Sequence, residues 1–268
     1  MMEGAVRLKT HREIKAIYKS CQVAAKLADE LKPRIQPGVS TGQLNDFAES
    51  FIAKQGCLPA FKGYQGFPAA LCTSINEEIV HGIPSPKRVL KDGDILSVDF
   101  GVILDGYYSD TAYTQFVGDS KVSEQLSKLL AATSESLDEG IAAIRAGAKL
   151  NRVSEAISRR ARRDGFKVIR DLSGHGVGHY LHEPPTIYNY PVPAAEGVQL
   201  RNGMVLAIEP MVAIGTDEII LGGDGWTYST ADGSLVAHFE HTVAVWDGEG
   251  VVLTQTGNGK AESFFGPV

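Results

Sequence analysis

The sequence predicts one α+β domain made of two intimately packed halves, and three observations carry that prediction. The segment 89–101, VLKDGDILSVDFG, returns 110 positions later as QLRNGMVLAIEPM, residues 199–211. A pair of helical patterns precedes each copy, and Ile35, Gly38 and Gly56 of the first pair align with Ile144, Gly147 and Gly165 of the second at a constant offset of 109. Each copy of the strand also carries an acid at the same place, Asp99 in the first and Glu209 in the second. Residues of about 10–118 and 122–250 are therefore expected to be duplicate halves of a single domain spanning 1–268. The repeat is too long, and its copies too few, for a solenoid.

Thr10 and Glu13 have the spacing of a capping box. They open a helix whose apolar face is Ile14, Ile17, Cys21, Ala24, Ala25, Ala28 and Leu31, ended by Pro33 and Pro37–Gly38. A second helix is expected over Thr41–Gln55, with Leu44, Phe47, Ala48 and Phe51 inward and Gly56 as its stop. Ile95–Ile103 and Tyr107–Val117 are rich in β-branched and aromatic residues and read as strands. Asp105–Gly106 between them is a two-residue hairpin signal. That turn pairs Leu104 with Tyr107 and Gly101 with Asp110. Asp99 then falls diagonally across from Asp110, with backbones about 7–8 Å apart. The helix pair returns over Glu124–Ile144 and Leu150–Arg163, separated by Ala146–Gly147. The second half answers the first hairpin with VAHFEHTVAV at 236–245, read as one strand in which His238 and Glu240 share a face and His241 points away.

With 43% hydrophobic residues in 268, the chain can bury a substantial core. A net charge of −6 argues against a general nucleic-acid or membrane-surface binder. Cys21, Cys57 and Cys72 are odd in number and lack C-x-x-C spacing, which fits a reducing compartment and neither a disulfide framework nor a zinc–thiolate site. The first residues, MMEGAVRLKTHREIK, contain no apolar segment of the signal-peptide kind. No run of about 18 apolar residues suggests a membrane span. The expectation is a soluble, cytoplasmic, monomeric protein.

Acids set in apolar strands are costly to bury unless paired or bound to a metal. Gly174–His182, GHGVGHYLH, adds three of the chain's seven histidines among three glycines, which let a backbone approach a ligand closely. The candidate ligands are Asp99, Asp110, His175, Glu209 and Glu240. Four acids cannot share a pocket as bare anions, because like charges would force some to protonate. Two divalent cations resolve the conflict. Oxygen-rich ligation with one nitrogen suits Mn²⁺, Fe²⁺ or Co²⁺ better than a structural zinc site. Paired cations about 3.5–4 Å apart are a recurrent device for activating water in hydrolysis.

Six segments in order, NEEIVHGIP at 76–84, VDFG at 98–101, YSDT at 108–111, GHGVG at 174–178, IEPM at 208–211 and FEHT at 239–242, resemble the methionine aminopeptidases over nearly the whole chain. The resemblance implies the pita-bread fold, two pseudo-twofold-related halves around a central antiparallel sheet. It implies removal of the N-terminal methionine of nascent chains, preferentially before a small second residue. It also implies two divalent metal ions per chain (Co, Mn, Fe or Zn) and attack of a metal-activated hydroxide on the scissile carbonyl. By the same resemblance, Asp99 chelates one ion, His175 and Glu209 the other, and Asp110 and Glu240 bridge both. Glu209 shuttles protons, while His81 and His182 contact the substrate amide and stabilise the tetrahedral intermediate. The methionine pocket is expected from Phe61, Tyr64, Phe67, Cys72, Leu181 and Trp226, an apolar aromatic slot suited to a thioether.

Phe61, Phe67 and Leu181 stand where Cys, Tyr and Phe are frequent in the family, yet all remain apolar. Only 30 residues separate Glu209 from Glu240, too few for the helical insertion of type 2 enzymes, and no Cys/His-rich extension precedes Thr10, so the chain resembles the short type 1 form. His179 stands where type 1 enzymes often carry Arg, and His182–Pro185, HEPP, is similar to the related Xaa-Pro peptidases. Those enzymes, and a non-catalytic protein of the same fold that binds peptides or partners, are the competing readings. The first usually carries an extra N-terminal domain, and the second is expected to have lost ligands. Arg159, Arg160, Arg162 and Arg163 form a basic cluster at a helix end, where cations are favourable without any partner. For an enzyme working on nascent chains, the cluster also suggests contact with the ribosome.

Overall fold

The computed structural model describes residues 5–195 and 197–267. Among them are five α-helices, α1 (His11–Leu31), α2 (Thr41–Lys54), α3 (Glu124–Ala142), α4 (Asn151–Arg163) and α5 (Gly259–Phe265). The first-half strands are β1 (Leu58–Pro59), β2 (Cys72–Ile75), β3 (Glu78–Val80), β4 (Ile95–Leu104) and β5 (Tyr107–Phe116). Then follow β6 (Lys167–Val168), β7 (Ser173–Gly176), β8 (Glu183–Tyr188), β9 (Val205–Ile208) and β10 (Met211–Ala213). The last five are β11 (Ile219–Leu221), β12 (Tyr228–Thr230), β13 (Val236–His238), β14 (Glu240–Trp246) and β15 (Glu249–Val252).

Thr10 caps α1 as its spacing predicts: its hydroxyl accepts the Glu13 N–H and its own N–H is taken by the Glu13 carboxylate. Of the predicted inner face only Ala28 is not fully buried. Each helix pair covers the strands of its own half. Leu27, Leu31, Leu44 and Ile52 pack on Leu96, Val98 and Phe100, and Ile141, Val153 and Ile157 pack on Leu206, Ile208 and Val243. Successive strand residues face opposite ways, so Asp99, between Val98 and Phe100, faces away from the helices.

The main sheet runs β1-β4-β5-β14-β9-β7-β8, with β15 added to β14 and β2 to β4. Its β4–β5 hairpin has the predicted register, Leu104 opposite Tyr107 and Gly101 opposite Asp110, with Asp99 opposite Ala112. The two halves meet where β5 pairs β14, Glu240 opposite Ala112 and His241 opposite Thr111. Gly38 and Gly147 both have φ near +87 (+88 and +86), and their amides donate to Leu90 and Leu200 carbonyls at 2.8 and 2.7 Å. These partners are again 110 residues apart, so the repeated letters correspond to repeated backbone geometry.

One expectation is corrected. Residues 236–245 are not one strand but β13 and β14, with Phe239 between them. Its N–H is taken by the Pro210 carbonyl at 3.3 Å. Pro210 interrupts the neighbouring strand at the same level, because it has no N–H to give a ladder. The two breaks face each other, and both strands pass there from the main sheet to a three-stranded sheet, β13-β10-β6. Glu209 sits at that corner.

Candidate metal centre

The main-sheet strands and their corner deliver five side chains to one place. Asp99 comes from β4, Asp110 from β5, His175 from β7, Glu240 from the first position of β14, and Glu209 from the break after β9. Ligand atoms of Asp110, His175 and Glu240 all lie within 4.8 Å of one another. His175 Nε2 is 3.6 Å from Asp110 Oδ2 and 3.4 Å from Glu209 Oε1. Among the described residues, no hydrogen-bond partner reaches Asp99 Oδ1, Asp110 Oδ1 or Glu240 Oε1, although all three atoms are buried. Native structures leave few such groups unsatisfied.

The charges make the same demand. Burial pushes the Asp99 carboxyl up to about 8. Burial first, and then neighbouring carboxylates, hold Asp110, Glu209 and Glu240 well above the ordinary acid range. His175 is driven down to about 3 by burial and then by His182, so it stays neutral with a free lone pair. Clustered acids with orphaned oxygens beside a neutral imidazole form a donor set that fits divalent cations, which would relieve both the repulsion and the desolvation.

Backbone hydroxyl bonds stitch the two acid-bearing strands together. Thr242 Oγ1 donates to the Asp110 carbonyl at 2.7 Å and accepts its N–H at 3.0 Å. Thr111 Oγ1 donates to the Glu240 carbonyl at 2.9 Å. Both threonines close sequence motifs, YSDT and FEHT, yet no local pattern marks their hydroxyls as links between the strands.

A cavity of about 700 Å³ opens from the acids, and all thirteen predicted site residues line it. Its apolar wall is Phe61, Tyr64, Phe67, Cys72, Leu181 and Trp226, with Phe67 meeting Trp226 edge to face at 5.2 Å. Burial, and then Asp99, push the Cys72 thiol up, so it lines this wall as a neutral group. His81 and His182 stand between the apolar wall and the acids. His182 Nδ1 is 2.8 Å from the Tyr64 hydroxyl, its ring 4.2 Å from that of His175. His182 is lowered to about 4 by loss of solvation and then by His81, and His81 is lowered by burial. Asp171, Thr186 and Tyr188 also line the cavity, and no motif drew attention to them.

His179 and the HEPP segment act beside the cavity. Glu183 Oε1 accepts the N–H groups of His179 and Tyr180 at 2.6 and 3.0 Å, while Lys9 Nζ donates to Oε2 at 2.6 Å. The His179 ring pairs with Glu13 at 3.0 Å. The basic cluster is largely paired: Arg159 and Arg163 share Glu139, and Arg160 is held between Glu135 and Asp164.

The chain is similar to known proteins over most of its length. A methionine aminopeptidase of Treponema pallidum is 48% identical over 252 residues, 93% of this chain and 96% of that protein. The crystal structure of methionine aminopeptidase from Thermotoga maritima superposes with a TM-score of 0.90 at 42% identity, covering 94% of this chain and 100% of the other. A prolidase from Pyrococcus furiosus shares the fold at 24% identity and a TM-score of 0.73, over 93% of this chain and 65% of its own. The fold is thus the pita-bread fold that the resemblance implies, with the duplicated halves expected from the repeat. A sequence model of metallopeptidase family M24 matches residues 15–247, and the chain belongs to that family and, within it, to the methionine aminopeptidases.

Proposed function

We propose that this metal-dependent aminopeptidase removes the N-terminal methionine of nascent polypeptides, preferentially when the second residue is small. The observation that carries the reading is the meeting, in one cavity, of clustered acids and an apolar aromatic slot. A methionine side chain seated against Phe61, Tyr64, Phe67, Cys72, Leu181 and Trp226 would bring the first peptide carbonyl to the acids.

Two divalent cations, of Mn, Fe, Co or Zn, would be held by Asp99, Asp110, His175, Glu209 and Glu240. When bound they supply Lewis acidity and bring a water's pKa toward neutrality. The residues do the rest. Glu209, at the Pro210 corner, accepts the attacking water's proton and passes it to the leaving amine. The Tyr64 hydroxyl lies 2.8 Å from His182 Nδ1; in the tautomer where it donates there, the His182 Nε2–H is free to donate to the carbonyl oxygen as it gains charge. His81 holds the substrate amide beside it. The matched glycines support taking 1–268 as one catalytic domain, with about 10–118 and 122–250 as duplicate halves.

Among the described residues no helix is long and apolar enough to cross a membrane, and all three cysteines are free and buried. Free thiols fit a reducing compartment, and the reading extends to a cytoplasmic location and a monomer. Arg159 and Arg163, more than half exposed and sharing one carboxylate, leave a net positive face for the ribosome, with Arg162 beside them. Arg160 is buried and serves the packing of α3 on α4. Exchanging Arg159 and Arg163 for Glu should abolish ribosome co-sedimentation; unchanged sedimentation removes that contact.

The main test offers metal-stripped protein, reconstituted with Mn²⁺, Fe²⁺, Co²⁺ or Zn²⁺, Met-Ala peptides beside Xaa-Pro peptides. Release of methionine is expected, lost in Glu240→Ala. Cleavage of the Xaa-Pro peptides alone would overturn the reading.

A further inference from the structure

His238 ends β13 beside the metal centre and is 1% exposed, yet among the described residues neither ring nitrogen has a hydrogen-bond partner. Its backbone is fixed on both sides. The N–H donates to Thr114 Oγ1 at 2.8 Å, and that hydroxyl donates to the His238 carbonyl, also at 2.8 Å. The residue stands opposite Met211 in the ladder, two positions after Glu209. The ring is thereby aimed at one group: Nε2 lies 3.7 Å from Glu209 Oε2. The other oxygen of the same carboxylate is 3.4 Å from His175 Nε2. Glu209 is bracketed by two imidazoles, one on each oxygen. The two imidazoles play different parts, because Asp110, His175 and Glu240 cluster within 4.8 Å while His238 lies outside that group.

We propose that His238 is a positioning residue for Glu209, donating Nε2–H to Oε2 so that Oε1 is presented beside His175 and the affinity for a divalent cation depends on that donor. The role rests on Glu209 being a metal ligand, as argued above. A buried imidazole with no partner weakens the metal-free fold, since an unsatisfied polar group costs its full desolvation. It is explained if the donor is used in the metal-loaded state, where the carboxylate must be held in one orientation. Partners of this kind behind a metal ligand change metal affinity by about 10–100-fold when removed.

The test is a calorimetric Mn²⁺ titration of the metal-free full chain, native and as His238→Leu, His238→Gln and Glu209→Gln, with thermal melting of each metal-free form. His238→Leu is expected to bind Mn²⁺ about 10–100-fold more weakly while melting no lower than the native protein without metal. His238→Gln keeps an N–H donor and is expected to recover most of the affinity. Native affinity in His238→Leu, alongside weakened binding in Glu209→Gln, overturns the role of His238 alone. Gln as weak as Leu at position 238 also overturns it. Unchanged affinity in Glu209→Gln overturns the assignment of Glu209 as a ligand, and this role with it.

Discussion

Replacing Lys9 by Met removes a buried cation while keeping most of its length. Lys9 Nζ meets Glu183 Oε2 at 2.6 Å, with side chains only 1% and 6% exposed. Breaking a buried pair by deleting one partner costs about 3–5 kcal/mol, because a charge is left uncompensated. Glu183 keeps two backbone N–H donors, from His179 and Tyr180, so the lower end of that range, about 3 kcal/mol, is expected for Lys9→Met. Equilibrium urea unfolding of the metal-free protein reads this directly. With a slope of about 3 kcal/mol per molar, the midpoint should fall by about 1 M. In the double variant Lys9→Met/Glu183→Gln the amide oxygen still accepts both N–H groups and no charge is stranded, so part of the loss should return. Loss of methionine release should accompany the single variant, since the loop held by Glu183 carries His182. A cost below about 1 kcal/mol, the range of exposed pairs, would refute the reasoning, as would a double variant no more stable than the single one.

Asp110→Asn should raise the melting temperature of chelator-treated protein, because it removes one of four mutually repelling buried acids, and should abolish the rise that Mn²⁺ produces in the native protein. Removing metal from the native protein should lower stability by about 2.7 kcal/mol relative to a free ion concentration of about 100 times Kd, read by calorimetry. Glu13 is pulled down to about 2, chiefly by the Thr10 N–H against its own partial burial. A depressed acid stabilises the fold fully above its ordinary value of 4.5, and that share is lost as the pH falls through about 2. Glu13→Gln should flatten the acid limb of a stability–pH curve in this window and leave the curve unchanged in shape above it. In Gly101→Ala the new Cβ would lie 2.4 Å from the Ser109 carbonyl and 2.8 Å from Ala60. Chemical denaturation should show a loss of about 1–3 kcal/mol, the usual cost of overpacking, and Mn²⁺ binding should weaken because Gly101 faces Asp110.

The hairpin was legible because its information is local: Asp105–Gly106 sets the register, and the register places Asp99 and Asp110. The cluster of acids was legible for a related reason, since an acid inside an apolar strand violates local expectation wherever it occurs. The corner at Glu209 was not. Residues 236–245 contain no Gly or Pro to mark an interruption, and their break at Phe239 depends on Pro210, which lies on the adjacent strand. The Lys9–Glu183 pair joins residues 174 apart and leaves no mark in either neighbourhood. Arg160 reads like its three basic neighbours; only the fold shows it buried between Glu135 and Asp164. In an unbroken strand His238 would share a face with Glu240, but the acid its ring reaches is Glu209, across the strand break.

The threonine hydroxyls at the junction of β5 and β14 have a practical consequence. Ordinarily the spacing of two residues on neighbouring strands is set by the ladder, and altering it means moving the whole sheet. Here the short ladder at Ala112–Glu240 and Thr111–His241 is supplemented by single hydroxyls, those of Thr111 and Thr242, which hold the backbones of Asp110 and Glu240. Thr111→Val or Thr242→Val would delete one oxygen while keeping a β-branched shape. The placement of the two acids thus depends on two single oxygens as well as on the ladder, so it can be altered without redesigning the strands.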